Sequence, residues 1–245
     1  DFERNFLRHD VLPLLKVRWP EISRSVARSA TLCAEQQSLL DETSAERLAP
    51  LKASANSLHL AALKQLSQPW LHQLVRYWLS ELDIQSPSMA VLNQLKPELL
   101  EAADDATPIL QWQSWQFRRF DEQLFVIPIP HKKERFIKTW QNEKFIELPH
   151  TLGRLLFSQT DRLHNDKESQ IIFDPKLGPV VIRLGGFNVK FKPLGSHHSK
   201  PVKQWFKHWK IAPWLRESIV FLIQNEAVLA LLIEGCWYPA QSCQA

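Results

Sequence analysis

The 245-residue sequence predicts an α+β protein: an N-terminal helical bundle with an appended β-hairpin, then a small α+β domain in which a basic helix packs on a sheet. Three observations carry this. Apolar residues recur at three- and four-residue spacing through the first hundred positions, in stretches opened by proline. From Ile109 the period shortens to two. Beyond Val180, strand-sized runs flank one lysine-rich segment with helical spacing. With 44% hydrophobic residues the chain can bury a substantial core. We divide it into a junction helix at 1–18, a helical domain at 19–130, a linker at 131–150 and an α+β domain at 151–245.

Residues 1–18 are basic and helix-compatible, and Pro13 is expected to break or kink the helix. A long helix opens with Pro20 in its first turn and runs to about Glu46. Ile22, Val26, Cys33 and Leu40 share one face, with Arg24 and Arg28 opposite, either solvated or on phosphate. Pro50 and the stretch from Ala53 to Ser57 read as loop. Two further helices open with Pro69 and Pro87 in their first turns. The first carries Leu71, Leu74, Val75, Trp78 and Leu82; the second carries Val91, Leu92 and Leu95 and stops before Pro97. Ile109–Phe117 and Leu124–Ile129 then form the hairpin, with Arg118 and Arg119 at its turn.

His131–Arg135 is a basic stretch beside Pro128 and Pro130, placing the domain boundary between 130 and 150. Strands follow at Gln170–Phe173 and Val180–Leu184 around an Asp174–Gly178 turn. Phe187, Val189 and Phe191 alternate with Asn188, Lys190 and Lys192, so this strand shows aromatics to one face and lysines to the other. Ile219–Ile223 and Val228–Ile233 form a tight hairpin across Asn225–Glu226, ending at Cys236–Tyr238.

The segment Ser199–Arg216 is the centre of the second domain. As a helix capped by Ser199, with Pro201 in the first turn, it gathers Val202, Trp205, Phe206 and Trp209 on one side. Lys200, Lys203, Lys207 and Lys210 stand on another. Around it, Pro175–Arg216 holds nine Lys or Arg residues (Lys176, Arg183, Lys190, Lys192, Lys200, Lys203, Lys207, Lys210, Arg216) and no Asp or Glu, in a chain whose net charge is only +4. A solvated face normally mixes signs; a stretch that excludes one sign fits a polyanionic partner. Interleaved tryptophans and the absence of an 18-residue apolar run favour nucleic acid over membrane. Trp214, after Pro213, reads either as a core plug or as a contact, with Arg216 the better contact candidate.

No catalytic constellation emerges. His197–His198 has no carboxylate or cysteine at ligand spacing, Asp104–Asp105 and Asp161–Asp166 read as caps or loops, and Ser158 and Ser196 lack a base nearby in sequence. No metal site is expected. No glycine precedes Gly153, and Gly185, Gly186 and Gly195 fit no phosphate-binding pattern, so no nucleotide cofactor is expected on this chain. Three unpaired cysteines suggest a reduced, cytoplasmic setting. The start at Asp1 rather than Met suggests a piece of something longer.

The opening RNFLRHDVLPLL, running into RWPEISRSVARSATLCAEQQSLLDE, resembles the junction of catalytic and substrate-binding domains in bacterial tRNA(Ile)-lysidine synthetases. KPVKQWFKHWKIAPWLRESIVFLIQNEAVLAL is similar to that family's C-terminal domain, with its basic helix and Pro-Trp-Leu-Arg signature. The resemblance implies an ATP-dependent ligase, with Mg2+, that adenylates the wobble cytidine of a CAU-anticodon tRNA(Ile) and converts it to lysidine with free lysine. The family's Ser-Gly-Gly-x-Asp-Ser loop is absent here, so the chain matches the C-terminal part and is expected to bind tRNA without making lysidine. By position, the resemblance puts Arg4, Asn5 and Arg8 at the domain junction and Arg24 and Arg28 toward the anticodon. Lys200, Lys203, Lys207, Lys210, Trp214 and Arg216 fall toward the acceptor stem; charge alone adds Arg183, Lys190 and Lys192. A stand-alone nucleic-acid module and a Trp-rich protein scaffold are the alternatives.

Overall fold

The computed structural model describes residues 2–103, 106–129, 136–149, 152–157, 178–185 and 189–241. The chain forms two compact units, Asp1–Ile129 and Pro130–Ala245. The helices, sheets and mixed second unit make it α+β, as the periodicities predict.

In the first unit, Phe2–Phe6 (α1) passes through a π-helical turn, Leu7–Val11, into Leu12–Arg18 (α2). Pro13 therefore does not end the helix. The Leu12 N–H reaches back five residues to the Leu7 carbonyl, and proline occupies the first turn after the widened one, where its missing N–H leaves no gap. Ile22–Leu48 (α3) follows the Trp19–Glu21 turn. Its predicted apolar stripe does not pack: Val26 is 62% exposed, Cys33 is exposed, and only Ser44 and Leu48 at the far end are buried. There Gln73 donates to the Ser44 hydroxyl at 3.2 Å and the Arg47 guanidinium lies 4.0 Å over the Trp70 ring.

Lys52–Ser54 (β1) and Ser57–His59 (β2) form a hairpin where a loop was expected. Leu60–Lys64 (α4), Gln68–Glu81 (α5) and Met89–Gln94 (α6) follow. Ser88, not Pro87, begins α6, its hydroxyl accepting from the Val91 N–H. The helix also runs past Pro97 through a second π turn, Leu95–Leu100, closed by the Glu101 N–H on the Lys96 carbonyl at 2.9 Å. Ile109–Trp112 (β3), Trp115–Phe120 (β4) and Gln123–Pro128 (β5) complete an antiparallel sheet in the order β1-β2-β5-β4-β3. The predicted first strand is thus itself a hairpin, folded at Gln113, which takes φ 48° without being glycine. Arg118 and Arg119 lie within β4 instead of at a turn, and Arg119 caps the Ala102 and Ala103 carbonyls. The turn is Asp121–Glu122, both at positive φ as a two-residue hairpin turn requires. Leu71, Leu74, Val75 and Trp78, on one face of α5, are completely buried, and Trp78 donates its ring N–H to the Ala55 carbonyl at 2.9 Å.

The second unit contains Ile137–Thr139 (β6), Phe145–Glu147 (β7), Arg154–Leu156 (β8), Val180–Leu184 (β9), Lys190–Phe191 (β10) and Lys200–Pro201 (β11). Val202–His208 (α7), Val220–Gln224 (β12), Ala227–Ile233 (β13) and Cys236–Pro239 (β14) follow. Part of the expected linker is therefore strand, because β6 pairs with β9 along Ile137–Thr139. The main sheet is antiparallel, in the order β14-β13-β12-β9-β6. Its register sorts the two faces. Phe221 and Leu231 join Val202, Trp205 and Phe206 in one core, while Ile182, Val220, Leu222 and Ala230 join Ile146, Leu148 and Leu155 of the β7–β8 hairpin in another. The Asn225–Glu226 turn stands as predicted, at φ 48° and 63°. The expected strand Gln170–Phe173, most of the Asp174–Gly178 turn, Lys176, Phe187, Asn188, His131–Arg135, Asp104–Asp105, Ser158 and Asp161–Asp166 lie outside the described residues.

Candidate nucleic-acid interface

The lysine-rich helix is shorter than its sequence spacing predicts. Ser199 does not cap it, because the chain at Lys200–Pro201 is held extended by pairing with Lys190–Phe191, and the Val202 N–H donates to the Val189 carbonyl at 2.9 Å. The helix proper begins at Val202 and covers two turns. At its far end Lys210 turns left-handed, φ 54°. Its N–H bonds the Lys207 carbonyl at 3.2 Å, and the next N–H, of Ile211, bonds the Phe206 carbonyl at 2.8 Å. This is a Schellman closure with lysine where glycine is usual, and the Ile211 and Phe206 side chains share the same core.

Of the four predicted helix lysines, two therefore stand on α7, Lys203 and Lys207, four residues apart and exposed. Lys200 lies on β11 before it and Lys210 in the closure after it, both also exposed. Lys190 is exposed on the paired strand β10, and Lys192, half-buried, follows it. Among the described residues Lys190, Lys192, Lys200, Lys203 and Lys207 have no ion-pair partner. Beneath them the aromatics interlock. Trp205, 9% exposed, donates its ring N–H to the Phe191 carbonyl at 2.8 Å and stacks on Trp209 at 5.6 Å. Trp209 continues onto Tyr238 at 4.7 Å, and the Lys200 ammonium stands 5.4 Å over the Trp205 ring.

The remaining predicted residues are distributed differently. Arg216 is half-buried. Its Nε and Nη2 both donate to the Ile211 carbonyl, at 3.2 and 3.1 Å, and it lies 6.0 Å over the Phe206 ring. Burial lowers its pKa from the ordinary guanidinium value without discharging it at neutral pH. Two of its five N–H donors thus hold the exit from α7. Trp214 is half-buried. Arg183 sits in β9 beside Phe221, on the sheet face that α7 covers, also half-buried. In the first unit Arg4, Asn5, Arg8, Arg24 and Arg28 are all exposed, and Arg24 lies 3.7 Å from Glu21. Tyr238 and His208, whose ring meets Trp205 edge-on at 6.0 Å, belong to the aromatic layer and were not singled out from sequence. The Tyr238 contact is long-range and leaves no spacing signal; His208 lies inside the basic segment.

His197 and His198 are exposed in a loop whose Ser196 hydroxyl bonds the His198 N–H, and no metal-binding group of His, Cys, Asp or Glu occurs among the described residues. Gly185 donates its N–H to the Ile219 carbonyl, and a Cβ there would meet the Glu217 backbone at 2.8 Å, so this glycine serves close packing and not phosphate. No helix of the described residues is long and apolar enough to cross a membrane.

Two family models match, one to each unit: the TilS substrate binding domain over residues 58–125 and the TilS substrate C-terminal domain over residues 180–243, together more than half of the chain. The chain belongs to the tRNA(Ile)-lysidine synthase family. A tRNA(Ile)-lysidine synthase of Serratia proteamaculans is 35% identical over 231 residues, covering 94% of this chain and 51% of that protein. One from Hamiltonella defensa is 35% identical over 237 residues, with 94% and 51% covered, and one from Vibrio atlanticus 31% over 267 residues, with 100% and 57% covered. The chain thus spans about half the length of the curated relatives it matches.

Proposed function

We propose that this chain is the tRNA-binding portion of a tRNA(Ile)-lysidine synthetase, holding a CAU-anticodon tRNA(Ile) so that its wobble cytidine is presented for conversion to lysidine. The observation that carries the reading is the acid-free segment of the second unit. Its lysines Lys200, Lys203 and Lys207 are exposed and have no ion-pair partner among the described residues, while Val202, Trp205 and Phe206 on the other side of α7 are buried. Rigidly mounted cations of one sign suit the phosphates of an A-form stem, whose deep major groove withholds base edges from side chains. Lys190, Lys192 and Lys210 extend this face, with Arg183 and Trp214 at its margin and Arg216 acting chiefly on the helix exit. Arg24 and Arg28 would meet the anticodon side, and Arg4, Asn5 and Arg8 would face the catalytic domain.

ATP, Mg2+ and free lysine would act on residues outside this chain, so the chain alone makes no lysidine, and a tRNA substrate places it in the cytoplasm. Of the ten tryptophans only Trp19 is exposed, at 55%, and the others are buried or half-buried, which favours the nucleic-acid reading over a Trp-rich scaffold surface. The test replaces Lys203 and Lys207 together with alanine and titrates tRNA(Ile) at several salt concentrations. Weaker binding, with the slope of log K against log salt reduced in magnitude by about 2, supports the reading. Unchanged affinity in a folded variant sinks it.

A further inference from the structure

The first unit carries a recess that the lysine face does not use. Gln68, His72 and Arg76 recur every fourth residue along α5, and Met89 and Asn93 of α6 stand across from them; with Pro69 they line a cleft of about 360 Å³. His72 is 7% exposed, and its Nε2 is buried without a hydrogen-bond partner, an arrangement native proteins seldom leave unanswered. Arg76 is exposed and has no ion-pair partner among the described residues. Gln68 Nε2 donates to Asn93 Oδ1 at 3.1 Å. With that bond made, Gln68 Oε1 and Asn93 Nδ2 remain as an acceptor and a donor, neither engaged among the described residues. Met89, 52% exposed, supplies an apolar wall.

A cation, an amide donor–acceptor pair and a flexible thioether suit one unstacked nucleotide: charge for its phosphate, amides for its base edge, a soft surface for its ring. The depression is open to solvent, with Gln68, Arg76, Met89 and Asn93 exposed along it, and has room for a single nucleotide but not a duplex. We propose that this cleft receives one unpaired nucleotide of the bound RNA, with its phosphate toward Arg76 and its base edge on the Gln68–Asn93 amides. This rests on the tRNA-binding reading above and adds a subsite for a single-stranded position.

The experiment uses the whole chain and tRNA(Ile) transcribed with 4-thiouridine, irradiated and mapped by mass spectrometry, alongside filter-binding titrations of the same samples. Crosslinks are expected at Met89 or His72. Gln68→Ala with Asn93→Ala should cut their yield about tenfold while leaving the salt slope unchanged, and Arg76→Gln should lower the slope by about 1. Should the amide double variant lose its thermal midpoint, Arg76→Gln, at an exposed position, decides instead. Normal tRNA binding with crosslinks only elsewhere overturns the cleft and leaves the tRNA-binding reading intact; absence of tRNA binding removes both. Inorganic phosphate that competes for the crosslink as well as cytidine 5′-monophosphate does would reduce the cleft to a phosphate site and overturn the nucleotide assignment.

Discussion

The two units mount their cations in opposite ways. In the second, Lys203 and Lys207 ride on two helical turns fixed at both ends, by the β10–β11 pairing before and the left-handed Lys210 closure after, over a floor of Trp205, Trp209 and Tyr238. In the first, Arg24 and Arg28 ride on a 27-residue helix that is buried only at Ser44 and Leu48. A short helix has little stability of its own and needs packing to exist. A long one can stand with most of its surface wet. The contrast teaches that charge position alone does not tell how rigidly a charge is held: the same four-residue spacing occurs in both places.

The sharpest way to break this contrast is to remove the floor. Trp205→Ala deletes a buried ring together with its hydrogen bond to Phe191. It should destabilise the second unit by about 3–5 kcal/mol, with loss of tRNA binding, while the first unit's denaturation is unmoved. Urea titration followed by fluorescence and by amide exchange separates the two; a stability unchanged within error would mean the floor does not hold the helix. Next in size, Arg216→Ala frees the Ile211 carbonyl and should cost about 1–3 kcal/mol, with lysine a poor substitute because its ammonium lacks the planar fork that aims two N–H groups at one carbonyl. If the variant keeps its stability and loses only affinity, Arg216 is a contact residue after all.

The paired Lys203→Ala and Lys207→Ala replacement should leave stability within about 0.5 kcal/mol and weaken tRNA binding roughly tenfold. Arg24→Ala with Arg28→Ala is its counterpart on the sparsely packed helix, and a smaller loss is expected there because side chains without packing beneath them spend more entropy on ordering. Equal losses would erase the distinction between the two mounts. The smallest effect is at Lys210. Glycine there removes a left-handed lysine and should raise stability by up to ~1 kcal/mol, while one phosphate contact is lost. A gain in stability without loss of affinity would take Lys210 out of the interface.

Much of the architecture was legible because the signals are local. Leu71, Leu74, Val75 and Trp78 announce a buried helix face, and Asn225–Glu226 announces a turn. What escaped was decided at a distance or against propensity. Strand pairing with Lys190–Phe191 claims Lys200–Pro201 before a helix can start, Gln113 folds a hairpin without glycine, and π turns carry helices past Pro13 and Pro97. In the candidate site the exposure of the lysines followed from their spacing. The engagement of Arg216 did not, since its acceptor at Ile211 exists only once the helix has closed behind Lys210.

The bare helix has a mechanical consequence. At about 1.5 Å per residue, Arg24 stands roughly 30 Å along the axis from Ser44, the first point where α3 meets the interior. Its buried anchor is at one end. A slight bend near its root, such as a glycine at Thr43 would invite, swings the tip through many ångströms, so substitutions far from any nucleotide can misdirect the arginines without touching them.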